Sequence, residues 1–130
     1  MKRILILTTT LAGMALPALA QEVNVLGWGG AYSNSQIEAY HKPFTAKTGI
    51  KVVSIDADNP ATPIKALVEA KIVSIDVASI DFADAVRFCD EGLLESIDPA
   101  VLTAAPDGTA AIDDFLPGTV TDCFVATDVF

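Results

Sequence analysis

Three glycines within four positions, directly after a short apolar run, constrain this chain more than any other feature. Residues 22–32 read Glu-Val-Asn-Val-Leu-Gly-Trp-Gly-Gly-Ala-Tyr. Val23, Val25 and Leu26 supply a short buried strand. Gly27, Gly29 and Gly30 let the backbone turn sharply and come close to a ligand, because no Cβ intervenes. A helix follows. Turns of this kind sit at the carboxyl end of a strand, where open α/β sheets bind their ligands. Glycines on both sides of Trp28 remove the side chains that would bury it, and its ring stacks well on cations and apolar stems. The expectation is that Trp28 forms the wall or floor of a small-molecule site; the competing reading is a plain core tryptophan.

The rest of the chain repeats strand and helix. Ser35-Gln36-Ile37-Glu38 has the form of a capping box, and Ile37, Tyr40, His41 and Phe44 follow helical spacing on one face. Pro43 predicts a kink or restart, and Lys47 with Gly49 predicts the helix end. Residues 50–57 read as a second strand. Thr62 and Pro63 then read as N-cap and first residue of a helix with the stripe Ile64, Leu67, Val68 and Ile72. A third strand is expected over 75–80, followed by a helix Phe82–Asp90 capped by Asp81 and stopped by Gly92, with Phe82, Ala85, Val86 and Cys89 on one face. Leu93 and Leu94 open a short strand. Residues 99–118 read as loop with a short helix around 110–115, and residues 119–130 as β-rich. Ser-Ile-Asp recurs at 54–56, 74–76, 79–81 and 96–98 without a common period, so it reads as polar strand ends rather than a repeat architecture. This alternation implies an α/β fold, mostly parallel, with helices on both faces.

Ahead of this pattern lies a secretory signal. Lys2 and Arg3 form a charged start, residues 4–16 an apolar core, and Ala18-Leu19-Ala20 a cleavage box before Gln21. The apolar run is short and Thr-rich for a membrane span, so residues 1–20 are expected to be removed, leaving no membrane insertion. The formal charge is −9, and loss of Lys2 and Arg3 takes it to −11. Such a chain repels nucleic acid and anionic membranes. Cys89 and Cys123 are plausible disulfide partners in an oxidising compartment, with two separate buried thiols as the other reading.

Other chemistries fit poorly. Gly27-x-Gly29-x-x-Tyr32 approaches a dinucleotide fingerprint, but Tyr32 stands where close helix–strand packing needs a third glycine. His41 is the single histidine and lies in a helix stripe, which favours a core or surface role over metal ligation. Asp56-x-Asp58 begins like a calcium loop, yet Pro60 and Ala61 break the pattern. No nucleophile has a base beside it, and Asp81 and Asp84 are explained by helix capping. The expectation is a binding protein, with no catalytic residue, metal or cofactor.

The segments Val-Asn-Val-Leu-Gly-Trp-Gly-Gly-Ala-Tyr (23–32) and Phe-Thr-Ala-Lys-Thr-Gly-Ile-Lys-Val (44–52) behind such a signal resemble the start of type 2 periplasmic solute-binding proteins of ABC importers. Asp90-Glu91-Gly92-Leu93-Leu94, Phe115-Leu116-Pro117-Gly118 and Thr121-Asp122-Cys123 add to a likeness with the spermidine/putrescine branch. The resemblance implies a two-lobed fold that closes on its ligand and delivers it to an importer permease. It implies a monomer, located in the periplasm. Trp28, Gly29, Gly30 and Tyr32 would edge the cleft, Asp81 matches a cleft position after the third strand, and Asp58 is a further candidate. Members of the family are more than twice this long, so residues 21–130 correspond to the first lobe. The implied ligand is a small cation such as a polyamine; an anion or amino acid held at the helix N-terminus after Gly30 is the alternative, and a lobe without ligand activity a third.

Overall fold

The computed structural model describes residues 21–125. The segment expected to be a signal, residues 1–20, and the last five residues of the tail expected to be β-rich lie outside them. Three parallel strands form the sheet: β1 (Glu22–Gly27), β2 (Lys51–Asp56) and β3 (Val77–Ala78), in the order β2-β1-β3. The central strand pairs in register along its whole length with β2, from Glu22 opposite Lys51 to Gly27 opposite Asp56. Between β1 and β2 the chain runs through α1 (Gly30–Gln36), a π turn (Ile37–His41) and α2 (Lys42–Thr48). Helix α3 (Ala61–Glu69) joins β2 to β3, and α4 (Phe82–Asp90) follows β3. One connection moves outward from β1 and the next moves back across it. Right-handed crossovers therefore place α1–α2 and α3 on opposite faces of the sheet.

Several local expectations are corrected by backbone chemistry. The first helix starts at Gly30, so Ser35 lies inside it and donates its hydroxyl to the Tyr32 carbonyl instead of capping. At Pro43 the α-helix restarts as expected, with the proline in the first turn of α2. The proline has no N–H for the Ala39 carbonyl and would clash with it. The preceding turn widens to π geometry, in which the Lys42 N–H reaches the Ile37 carbonyl. Tyr40 and Phe44 point outward, leaving Ile37 and His41 as the half-buried part of that stripe. Helix α3 begins at Ala61, where the Asn59 side chain accepts the Ala61 N–H at 2.9 Å, so Asn59 supplies the contact expected of Thr62. Pro63 then falls in the first turn, where its missing N–H has no intrahelical partner to lose.

The core lies where α3 and α4 meet β3. Ala61, Ile64 and Phe88 are buried there, with Ala78, Ile80, Leu93 and Leu94 packed against them. Val68 and Ile72 are exposed and edge a groove beside β3 rather than joining this core. On α4 the buried positions are Ala85 and Phe88, while Val86 is exposed, so the inward face lies a step away from the expected one. Both helices end in the same hydrogen-bonded motif. Lys71 N–H bonds the Val68 carbonyl and Ile72 N–H that of Leu67; Gly92 and Leu93 do the same to Cys89 and Phe88. Gly92 takes the required positive φ of 69°, and Lys71 takes it at 55° with a Cβ present.

Beyond α4 the expected strand at Leu93 does not form. A 3-10 turn (Pro99–Val101) and a short helix α5 (Ala111–Asp114) interrupt the loop. In the tail, β structure reduces to one antiparallel bridge between Val120 and Val125 among the described residues. The Thr121 hydroxyl accepts the N–H groups of Cys123 and Phe124, which places Cys123 in a turn and not at the head of a strand. That turn is tied to α4 by the Cys89–Cys123 disulfide and by edge-to-face packing of Phe82 on Phe124 at 5.6 Å.

Candidate functional site

The carboxyl ends of all three strands meet at one rim. From β1 comes the glycine turn, from β2 come Asp56, Ala57 and Asp58, and from β3 come Ser79 and Asp81. Trp28, Gly29, Gly30, Asp56, Ala57 and Asp58 line a shallow cleft of about 470 Å³ on the β2 side. Trp28 is half-buried, and Gly30 and Asp58 are exposed. This rim lies outside the carboxyl ends of the parallel strands, the side of an open α/β sheet on which ligands are taken.

The turn is held from beneath by a hydrogen-bond chain that the sequence did not single out. Gly29 donates its N–H to the Ser33 hydroxyl at 2.9 Å, and Ser33 donates that hydroxyl to Asp56 Oδ1 at 2.7 Å. Ser33 is only 4 % exposed, so its hydroxyl is shielded from water, while Asp56 at the end of the chain is exposed. The same contacts explain two of the glycines. A Cβ on Gly27 would stand 3.2 Å from the Ser33 hydroxyl, and one on Gly29 would stand 3.3 Å from the Asp56 side chain. Gly29 also has φ 77° and ψ −177°, a region essentially confined to glycine.

Tyr32 and Asp81 do not line the Trp28 cleft. Tyr32 is 39 % exposed and its hydroxyl bonds the Ser79 hydroxyl at 2.7 Å, bridging the start of α1 to the end of β3. Asp81 stands two residues beyond Ser79, exposed, at the N-cap of α4. Its side chain makes no capping bond, contrary to expectation, and the Asp81 carbonyl instead accepts the Ala85 N–H. Two of the four Ser-Ile-Asp segments thus end strands at the rim, through Asp56 and through Ser79 with Asp81. Asp76 does the reverse: it precedes β3 and accepts the backbone and side-chain N–H groups of Asn24. His41 stands against β2 with its Nδ1 buried and unpartnered. No group of three possible metal ligands occurs among the described residues.

No protein-family model matches the chain. Over 125 residues it is 38 % identical to the gamma-aminobutyric acid-binding protein of Pseudomonas aeruginosa, an alignment that covers 93 % of this chain and 34 % of that protein. Two solved structures from A. tumefaciens share its fold. The PBP MotA from strain B6, in complex with glucopine, is 30 % identical with a TM-score of 0.69, covering 82 % of this chain and 30 % of that one. The PBP AgtB from strain R10, in complex with agropinic acid, is 29 % identical with a TM-score of 0.61, covering 67 % and 27 %. The chain spans about a third of the length of these relatives. They are binding proteins, and none of the three is named for a polyamine, so the spermidine/putrescine branch finds no support in them. What they share with this chain is broader: over about a third of their length it is similar to them in sequence and in fold, and all three are small-molecule binding proteins.

Proposed function

We propose that residues 21–130 form the first lobe of a periplasmic solute-binding protein, exported after removal of residues 1–20, which passes a small amino acid of the gamma-aminobutyric acid type to an importer permease. The observation that carries this reading is the pairing of Trp28 with carboxylates in one cleft, in a chain 38 % identical to a gamma-aminobutyric acid-binding protein. A primary ammonium stacks on an indole face and pairs with a carboxylate; Trp28 and Asp58 supply both. The helix after Gly30 opens at the same rim, and N–H groups of a first helical turn favour a carboxylate. A zwitterion therefore satisfies both halves of the rim, whereas a polyamine offers nothing to the second. Gly29 and Gly30 complete the edge of this half-site, and Tyr32 and Asp81 stand further along the same rim, outside the cleft.

One lobe gives only part of the binding energy. Stacking of an ammonium on Trp28 contributes about 0.5–2 kcal/mol, and an exposed ion pair at Asp58 about 0–1 kcal/mol. Millimolar affinity needs about 4.1 kcal/mol, so this chain is expected to bind in the millimolar range or more weakly. Trp28 is the single tryptophan, and its indole N–H gives one assignable NMR signal. Titration with gamma-aminobutyric acid to concentrations well above millimolar should move that signal progressively, and Asp58→Asn should weaken the response. A response to spermidine or putrescine but not to the amino acid would return the site to polyamines, and a response to phosphate alone would make it an anion site.

A further inference from the structure

We infer that Asp56 is the positioning residue of the Trp28 turn, acting through Ser33. The inference rests on the proposed site only in taking Trp28 as its working surface. Three segments interlock beneath the indole: the end of β1 at Gly27, the first turn of α1 at Ser33, and the end of β2 at Asp56. The Ser33 hydroxyl spends its proton on Asp56 Oδ1 and accepts the Gly29 N–H, so both of its hydrogen-bonding functions are committed. Without Asp56 the buried hydroxyl loses its acceptor, and such a group rotates to find another partner. The nearest consequence falls on Gly29, whose backbone lies in a sparsely populated region that surrounding contacts must hold. Trp28 is attached directly to that residue, and on its other side to Gly27, which lies in reach of the same hydroxyl. The direction of the indole over the cleft is thus set by a carboxylate that belongs to the neighbouring strand.

Because Trp28 is the single tryptophan, its fluorescence reads the turn without any ligand. Ser33→Ala and Asp56→Ala should each shift the emission maximum to the red and raise quenching by acrylamide. Asp56→Asn, which keeps a side-chain oxygen for the Ser33 hydroxyl, should restore the wild-type emission and quenching. Circular dichroism monitors the fold. Ser33→Ala removes one oxygen and places a good helix former in α1, so it keeps the test valid where Asp56→Ala unfolds. Unchanged emission and quenching in folded Ser33→Ala would overturn the inference, as would an Asp56→Asn protein that behaves like Asp56→Ala. Failure of the amino acid to bind any of these proteins bears on the proposed function and leaves the fluorescence result intact.

Discussion

Breaking the Cys89–Cys123 disulfide tests how much of this fold depends on a single tether. The bond joins residues 34 apart, from α4 to the Thr121 turn. For a loop of that size the chain-entropy expression gives about 13 cal/mol/K, or about 3.8 kcal/mol at 25 °C. A domain of this size holds about 5–15 kcal/mol in all. Its core places it toward the low end, since the buried apolar side chains of the described residues are few: Leu26, Ala61, Ile64, Ala85 and Phe88. With an unfolding entropy of about 2.1 cal/mol/K per residue over roughly 105 residues, the loss converts to a fall in Tm of about 17 °C. Beyond the bond, the tail is held by the Phe82–Phe124 contact, the Val120–Val125 bridge and the Ile97 N–H on the Asp122 carbonyl. These are too few to compensate. Differential scanning calorimetry of the oxidised chain, the reduced chain and Cys89→Ala/Cys123→Ala measures the effect. A fall of less than about 4 °C, equivalent to under about 1 kcal/mol, in both the reduced chain and the double variant would refute the argument and show that the tail unfolds independently of the core.

Two further expectations concern single residues. Lys71→Gly relieves a left-handed backbone that costs an L residue about 1–2 kcal/mol, partly offset by the freer unfolded glycine, so Tm should rise by about 2–5 °C; a fall would mean that the Lys71 side chain holds the turn. Asp107 accepts the Thr109 N–H at 2.9 Å, and that backbone bond, with a second from the Thr109 side chain, holds its carboxyl below the ordinary aspartate range. The sign follows from the depressed folded value: the contribution to the loop is present above the unfolded pKa and fades as pH falls through the folded one. Carbon NMR of the carboxyl should show the low titration, and an Asp107 that titrates with the other exposed aspartates would contradict the contact.

The alternation of strand and helix was legible because it rests on periodicity, and helix Phe82–Asp90 was read to the residue. What periodicity missed were places where one backbone group overrides a pattern. The Ser35 box matched a cap, yet the glycines upstream had already let the helix begin. Pro43 marked the restart at α2, but not the π turn that carries the chain into it. The stripe through Val68 and Ile72 matched a buried face, but Val68 is on the exposed side of α3 and Ile72 follows the left-handed Lys71, and both edge the groove beside β3. In the tail, β-branched residues matched a strand, and the Thr121 hydroxyl turned the backbone instead.

The site was half legible for a related reason. Local spacing exposes a glycine turn and a flanked tryptophan, since both lie within a few residues. It does not show which distant side chain the glycines make room for. Asp56 lay in plain view as the end of a Ser-Ile-Asp segment and the start of a failed calcium loop, and Ser33 as one small residue in a helix. Only the parallel register that sets Gly27 opposite Asp56 brings them together. The same register sets Leu26, buried at the centre of the sheet, opposite Ile55. Sequence features that read as fold thus determine the site: the strand pattern delivers the carboxylate to the turn, and the missing Cβ atoms admit it.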